Sequence, residues 1–69
     1  MNVTDRVRVD IEQSVYAQVR SVQVYSNNGF VVLNGEVDCY FIKQLAQEIA
    51  MRYSDSVINM VVVRKGDET

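Results

Sequence analysis

The segment Asn27-Asn28-Gly29-Phe30-Val31-Val32-Leu33-Asn34-Gly35-Glu36-Val37-Asp38 carries most of the architectural information in this chain. Asn28-Gly29 separates two runs in which apolar and polar residues alternate. Both residue types tolerate positive φ, so the pair predicts a tight hairpin turn between two antiparallel strands. After the turn, one parity holds Val31, Leu33, Gly35 and Val37, and the other holds Phe30, Val32, Asn34 and Glu36. The first is apolar throughout and is expected to face a core. Gly35 fills no space in that inward row, which predicts a close approach by another backbone or a helix.

From Asp38 the apolar period changes from two to about 3.6. Ile42, Leu45, Ala46, Ile49, Ala50 and Tyr53 form one helical stripe, with two alanines that let the helix sit close to a sheet. Asp38 is the expected N-cap, its carboxylate accepting from free N–H groups of the first turn. Glu48 and Arg52 have the i,i+4 spacing of a surface ion pair. Ser54-Asp55-Ser56 then breaks the helix. Residues 57–63 are apolar at every position but Asn59, as in a buried strand or a half-buried one whose second face is covered. Residues 64–69 read as a disordered polar tail.

Upstream, Val7, Ile11, Val15 and Val19 recur every four residues and predict one helix capped by Thr4 or Asp5, ending near Arg20-Ser21. Asp10 with Gln13 is an alternative start of capping-box type. Val22 and Val24 alternate with Gln23 and Tyr25 in a strand pattern. The order is helix, strand, strand, helix, strand. A strand-helix-strand crossover within one sheet is right-handed and parallel, so the third strand is expected to run parallel to the second, which pairs antiparallel with the first. The expected fold is α+β, an αββαβ two-layer sandwich with a three-stranded mixed sheet and both helices on one face. Residues 1–69 are read as a single domain with an ordered core of about 4–63.

Composition narrows the function. A chain of 69 residues buries only ~60% of its unfolded surface, and disulfides, metals or self-association commonly supplement so small a core. One Cys and no His exclude a disulfide within the chain and a zinc site of the usual ligands. Self-association is the supplement left. The net charge is −2, and Arg6, Arg8, Arg20, Lys43, Arg52, Arg64 and Lys65 are scattered, which argues against a nucleic-acid binder. No apolar run reaches the ~18 residues of a membrane span, and the N-terminus lacks the apolar region of a secretory signal. As written the chain is expected in the cytoplasm; as an excised domain it would equally suit the periplasm or envelope.

Gly29-x-Val31-x-Leu33-x-Gly35-x-Val37, followed by a helix with Ala46-x-x-Ile49-Ala50 and a strand with Asn59-x-Val61-x-Val63, resembles the BON domain of bacterial osmotic-shock and nodulation proteins. The resemblance runs from Thr4 to Val63, and the glycine-spaced strand is its most specific part. It implies an αββαβ fold and a non-enzymatic module that binds phospholipid or attaches envelope proteins to membranes. One departure stands between the second helix and the last strand, where the family usually carries Gly-Val and this chain has Tyr53-Ser54-Asp55-Ser56.

No catalytic motif, cofactor motif or metal-ligand set is present, and each candidate site has a plainer reading beside it. Cys39, near the start of the second helix, could have a lowered thiol pKa, but is read as a small structural residue at the core edge. Glu36 with Asp38 could serve acid/base chemistry, but is read as an exposed strand residue and a cap. Lys43, Arg52, Arg64 and Lys65 could touch lipid phosphates, but are read as solvated surface. Tyr25, Phe30 and Val32 fall on the sheet face away from the helices and are the expected interaction surface, since contiguous exposed apolar area marks binding sites. Gly29, Gly35 and Asp38 are structural. The expected partner is a second copy or another protein, with phospholipid as the alternative and no nucleic acid or metal.

Overall fold

The computed structural model describes residues 2–64. Its elements are α1 (Val3–Glu12), α2 (Ala17–Arg20), β1 (Gln23–Asn27), β2 (Phe30–Val37), α3 (Tyr40–Met51) and β3 (Val57–Val63). The sheet order is β1-β2-β3, with β1 antiparallel and β3 parallel to the central β2. Val7 and Ile11 of α1, Val19 of α2 and Ile42, Ala46, Ile49 and Ala50 of α3 pack on Val24, Val31, Leu33, Val37 and Val61 of the strands. All helices therefore cover one face of a mixed sheet, the expected α+β sandwich. Leu45 and Tyr53 complete the predicted stripe as partly buried neighbours of that core.

The hairpin turns as expected. Asn28 has φ 54° and Gly29 φ 84°, two successive positive values between the paired Asn27 and Phe30, as in the two-residue turn that matches strand twist. Gly35 has φ +143°, and a Cβ there would meet the Val22 Cα at 3.7 Å and the Ser21 carbonyl at 3.8 Å. A backbone does approach it, from the link between α2 and β1. Those distances are ordinary contact, so backbone conformation is the tighter constraint on this position.

The first helix is not continuous. It is capped by Asn2, whose Oδ1 accepts from the Asp5 N–H at 2.8 Å, in place of Thr4 or Asp5. It stops at Glu12, so neither the single helix to Arg20 nor a start at Asp10 is found. Ser14 Oγ accepts from the Tyr16 N–H at 3.1 Å, and Arg20 Nη1 donates to the Ser14 carbonyl at 2.8 Å. A serine that captures nearby backbone offers an alternative to the helical ladder. The break leaves Val15 86% exposed while Val19 returns to the core.

The link from α3 to β3 closes without the glycine usual in the resembled family. The Tyr53 and Ser54 N–H groups donate to the Ala50 carbonyl at 3.1 and 3.2 Å. Ser54 Oγ accepts from the Ser56 N–H at 3.0 Å. The Ser56 carbonyl then accepts from Val31 N–H at 2.9 Å, starting the parallel ladder. The Ser54 hydroxyl here does what a positive-φ residue would otherwise do.

Candidate functional site

The outer face of the sheet is built from the parity opposite to the core. In register, Tyr25, Val32 and Ile58 form one row across the three strands, Gln23, Asn34 and Met60 the next, and Glu36 and Val62 a third. Phe30 stands beside Asn27 at the hairpin end. Tyr25, Phe30, Ile58, Met60 and Val62 are 40–56% exposed. The apolar part of this face follows β3 and the hairpin end and leaves Gln23, Asn34 and Glu36 as its polar border.

Val32 departs from the expectation of an exposed contact residue, being only 3% exposed. It lies outside the helix-facing core and is shielded within its own row by Tyr25 on one side and Ile58 on the other. A central-strand valine between two larger neighbours becomes the floor of the patch. The β3 residues Ile58, Met60 and Val62 were the less obvious members, because a run apolar on both parities does not say which parity a helix covers.

β3 is also an edge strand. The Val31 N–H to Ser56 carbonyl bond and the Arg64 N–H to Val37 carbonyl bond at 2.8 Å set the phase of the parallel ladder. The even-numbered residues of β3 bond β2, so Val57, Asn59, Val61 and Val63 aim their backbone groups at the open edge. Among the described residues only Val61 of these has a side-chain partner, its N–H donating to Asn59 Oδ1 at 3.1 Å. Asn59 Nδ2 in turn donates to the Lys43 carbonyl at 3.0 Å and to Gln47 Oε1 at 3.2 Å, locking mid-β3 to mid-α3. The opposite edge is capped differently: Arg8 reaches from α1 to the Val24 carbonyl of β1 at 2.8 Å while pairing with Asp5 at 2.7 Å.

The remaining candidates are not brought together. Asp38 is not the N-cap of α3; that position belongs to Cys39, whose side chain caps nothing. Asp38 instead pairs with Gln18, its N–H donating to Oε1 at 2.6 Å and its Oδ2 accepting from Nε2 at 3.1 Å. The β2–α3 link is thereby tied to α2, and the two-point geometry of the glutamine amide explains why the carboxylate is drawn away from the helix end. Cys39 is exposed rather than at the core edge. Glu36 accepts from Arg64 at 3.1 Å, so Glu36 and Asp38 have separate partners.

Arg52 pairs with Asp10 at 3.7 Å and not with Glu48. Lys43 lies along α3, while Arg52 and Arg64 stand at opposite ends of β3, so these cations form no joint anion site. Lys65 and the rest of the expected tail lie outside the described residues. Tyr53 donates to Asp10 Oδ2 at 2.6 Å, and this bond, followed by desolvation, holds the phenol pKa above its usual 10.0. The Arg6 guanidinium sits over the Tyr53 ring at 5.3 Å. No sequence pattern marked this cluster, because its members come from both ends of the chain.

Shallow grooves border the helices. One of about 360 Å³ between the α1–α2 turn and α3 includes Asp10, Gln13, Tyr16 and Arg52. Its acid and base are already paired with one another. Tyr16 packs edge-on against Phe41 with centroids 5.6 Å apart, fastening that turn to α3. Among the described residues, no group of three or more His, Cys, Asp or Glu is placed to hold a metal, and no helix is long and apolar enough to cross a membrane.

Neither the curated proteins nor the solved structures compared with the chain include a match. A family model, that of the BON domain, matches residues 2–65. That span includes the hairpin, the glycine-spaced β2, the Ala-containing face of α3 and all of β3, so the chain belongs to the BON domain family.

Proposed function

We propose that the domain is a non-catalytic assembly module that takes a protein surface, a second copy of the chain or a partner, on its outer sheet face. The observation that carries this reading is the apolar strip of Tyr25, Phe30, Ile58, Met60 and Val62, 40–56% exposed on a chain of 69 residues. At ~25 cal/mol per Å² of apolar area, covering a few hundred Å² contributes several kcal/mol, comparable to the whole stability of a small domain. Phospholipid, which the family resemblance implies, fits this surface less well. Headgroup recognition draws on clustered Lys and Arg, and the one arginine that reaches the strip's border, Arg64, is paired with Glu36.

The test is molar mass by light scattering over a concentration series, alone and with Ile58→Glu. Ile58 lies in the middle of the strip and outside the core, so the variant should fold as the parent and lose the association. A wild-type chain that stays monomeric, binds no protein and floats with anionic vesicles in a salt-sensitive manner would replace this reading with the phospholipid one.

A further inference from the structure

We infer that two copies join edge to edge through antiparallel β3 strands, on a two-fold axis at Met60, to form one continuous six-stranded sheet. The inference rests on the self-association arm of the proposed function and moves the contact between copies from the outer face to the β3 edge, leaving the face open to a protein partner.

Edge strands of soluble proteins are normally blunted by charges, proline, bulges or covering loops. Among the described residues β3 has none of these: Val57-Ile58-Asn59-Met60-Val61-Val62-Val63 carries no charge and no proline and pairs with β2 residue for residue. The β1 edge differs, since Arg8 caps its Val24 carbonyl.

The β3 edge is self-complementary. Antiparallel pairing centred on Met60 sets Val57 opposite Val63 of the second copy and Asn59 opposite Val61 of the second copy. Those are the residues whose backbone groups point outward, so each becomes a hydrogen-bonded pair, formed twice by symmetry. The one cost is the Asn59 Oδ1 contact to the Val61 N–H, which a backbone carbonyl of the second copy replaces. On the outer face, Ile58, Met60 and Val62 then adjoin Val62, Met60 and Ile58 of the second copy, and two narrow strips become one wide apolar band.

The helix layer supplies an independent argument. Asn59 bonds Lys43 and Gln47, so the middle of α3 lies level with the middle of β3 and the same axis passes both. Gln47 also reaches Met51 Sδ at 3.7 Å, which places Met51 on the same flank of α3; by helical spacing Tyr40 belongs to that flank too. Tyr40 and Met51 are 64% and 50% exposed, with no covering element among the described residues. Because α3 packs on both β2 and β3, its axis stands about one strand spacing, ~4.8 Å, from the two-fold, and the paired helices lie ~10 Å apart, a normal packing distance. In that antiparallel arrangement Tyr40 meets Met51 of the second copy, and the two uncovered residues cover each other.

The experiment uses single thiols in a Cys39→Ser background. With Met60→Cys the two sulfurs face each other across a non-hydrogen-bonded pair, within disulfide reach; with Ile58→Cys they are ~14 Å apart, beyond it. The expected result is oxidative dimerisation of Met60→Cys at least roughly tenfold faster than of Ile58→Cys, with Phe30→Glu, remote from the edge, still dimeric by light scattering. Reversible protection of the Asn59 and Val63 amides from hydrogen exchange at high concentration supports the same geometry. A wild-type dimer in which the two thiols cross-link equally and Phe30→Glu dissociates the pair overturns edge pairing but leaves self-association through the face. A wild-type chain that is monomeric throughout overturns both.

Discussion

The Tyr53 hydroxyl donates to the Asp10 carboxylate at 2.6 Å, joining the end of α3 to α1 across 43 positions of sequence. Arg52 and Arg6 complete the cluster, one beside the carboxylate and one over the ring. Three of these four side chains are charged, yet together they close the seam between the two longer helices.

This bond makes stability depend on alkaline pH. The folded state holds the phenolic proton more tightly than the unfolded chain, whose value is the usual 10.0. The contribution is therefore complete below pH 10 and is lost as pH rises through the raised folded value. Tyr53→Phe should lower the urea midpoint at neutral pH, and the gap to wild type should close above that range. A gap that stays constant through the alkaline range would show that packing, not the proton, is responsible.

Gly35 is constrained by φ +143° more than by space. Gly35→Ala and Gly35→Val should both destabilise by about 1–3 kcal/mol, the cost of a non-glycine residue in a sparsely populated backbone region. Most of the loss should already appear with alanine. Were overpacking the cause, alanine would be nearly neutral and valine severe, and denaturant titration of the two variants separates the explanations.

Val15 and Val19 share the i+4 series but not the core, being 86% and 0% exposed. Val15→Ser should change stability by no more than about 0.5 kcal/mol, whereas Val19→Ala should cost about 2 kcal/mol from lost burial and the cavity left behind. Equal costs at the two positions would mean that α1 and α2 form one helix in solution.

Cys39 occupies the N-cap of α3 without a side-chain hydrogen bond. Serine there can accept from the first-turn N–H groups, so Cys39→Ser should fold as the parent and gain about 0.5–1 kcal/mol. Thermal melts of the pair measure it. A loss of stability would mean that the thiol packs in a way its exposure does not suggest.

Much of this architecture was readable along the chain because it rests on local periodicity. Asn28-Gly29 specifies positive φ at both turn positions, the alternation around it names the inward residues, and the stripe from Ile42 to Tyr53 names the buried face of α3. Each signal is carried by residues within a few positions of one another, where backbone sterics and hydrophobic spacing act directly. The i+4 series of Val7, Ile11, Val15 and Val19 was misleading for the converse reason. A helix ends where its backbone finds better partners, and Ser14 and Arg20 supply them without disturbing the spacing.

The proposed interaction surface depends on contacts that spacing does not encode. Gln18 removes Asp38 from the helix cap at a separation of 20 residues, and Asp10 takes Arg52 from Glu48. Val32 is hidden by Tyr25 and Ile58 only because three strands bring them into one row. The composition of β3 says that it is apolar on both sides. Its place at the sheet edge, with α3 over one face and its odd-numbered backbone groups turned outward, is a property of the assembled layers. Parity sorts residues between faces, but only the neighbouring strands and the helix above settle which of them meets water.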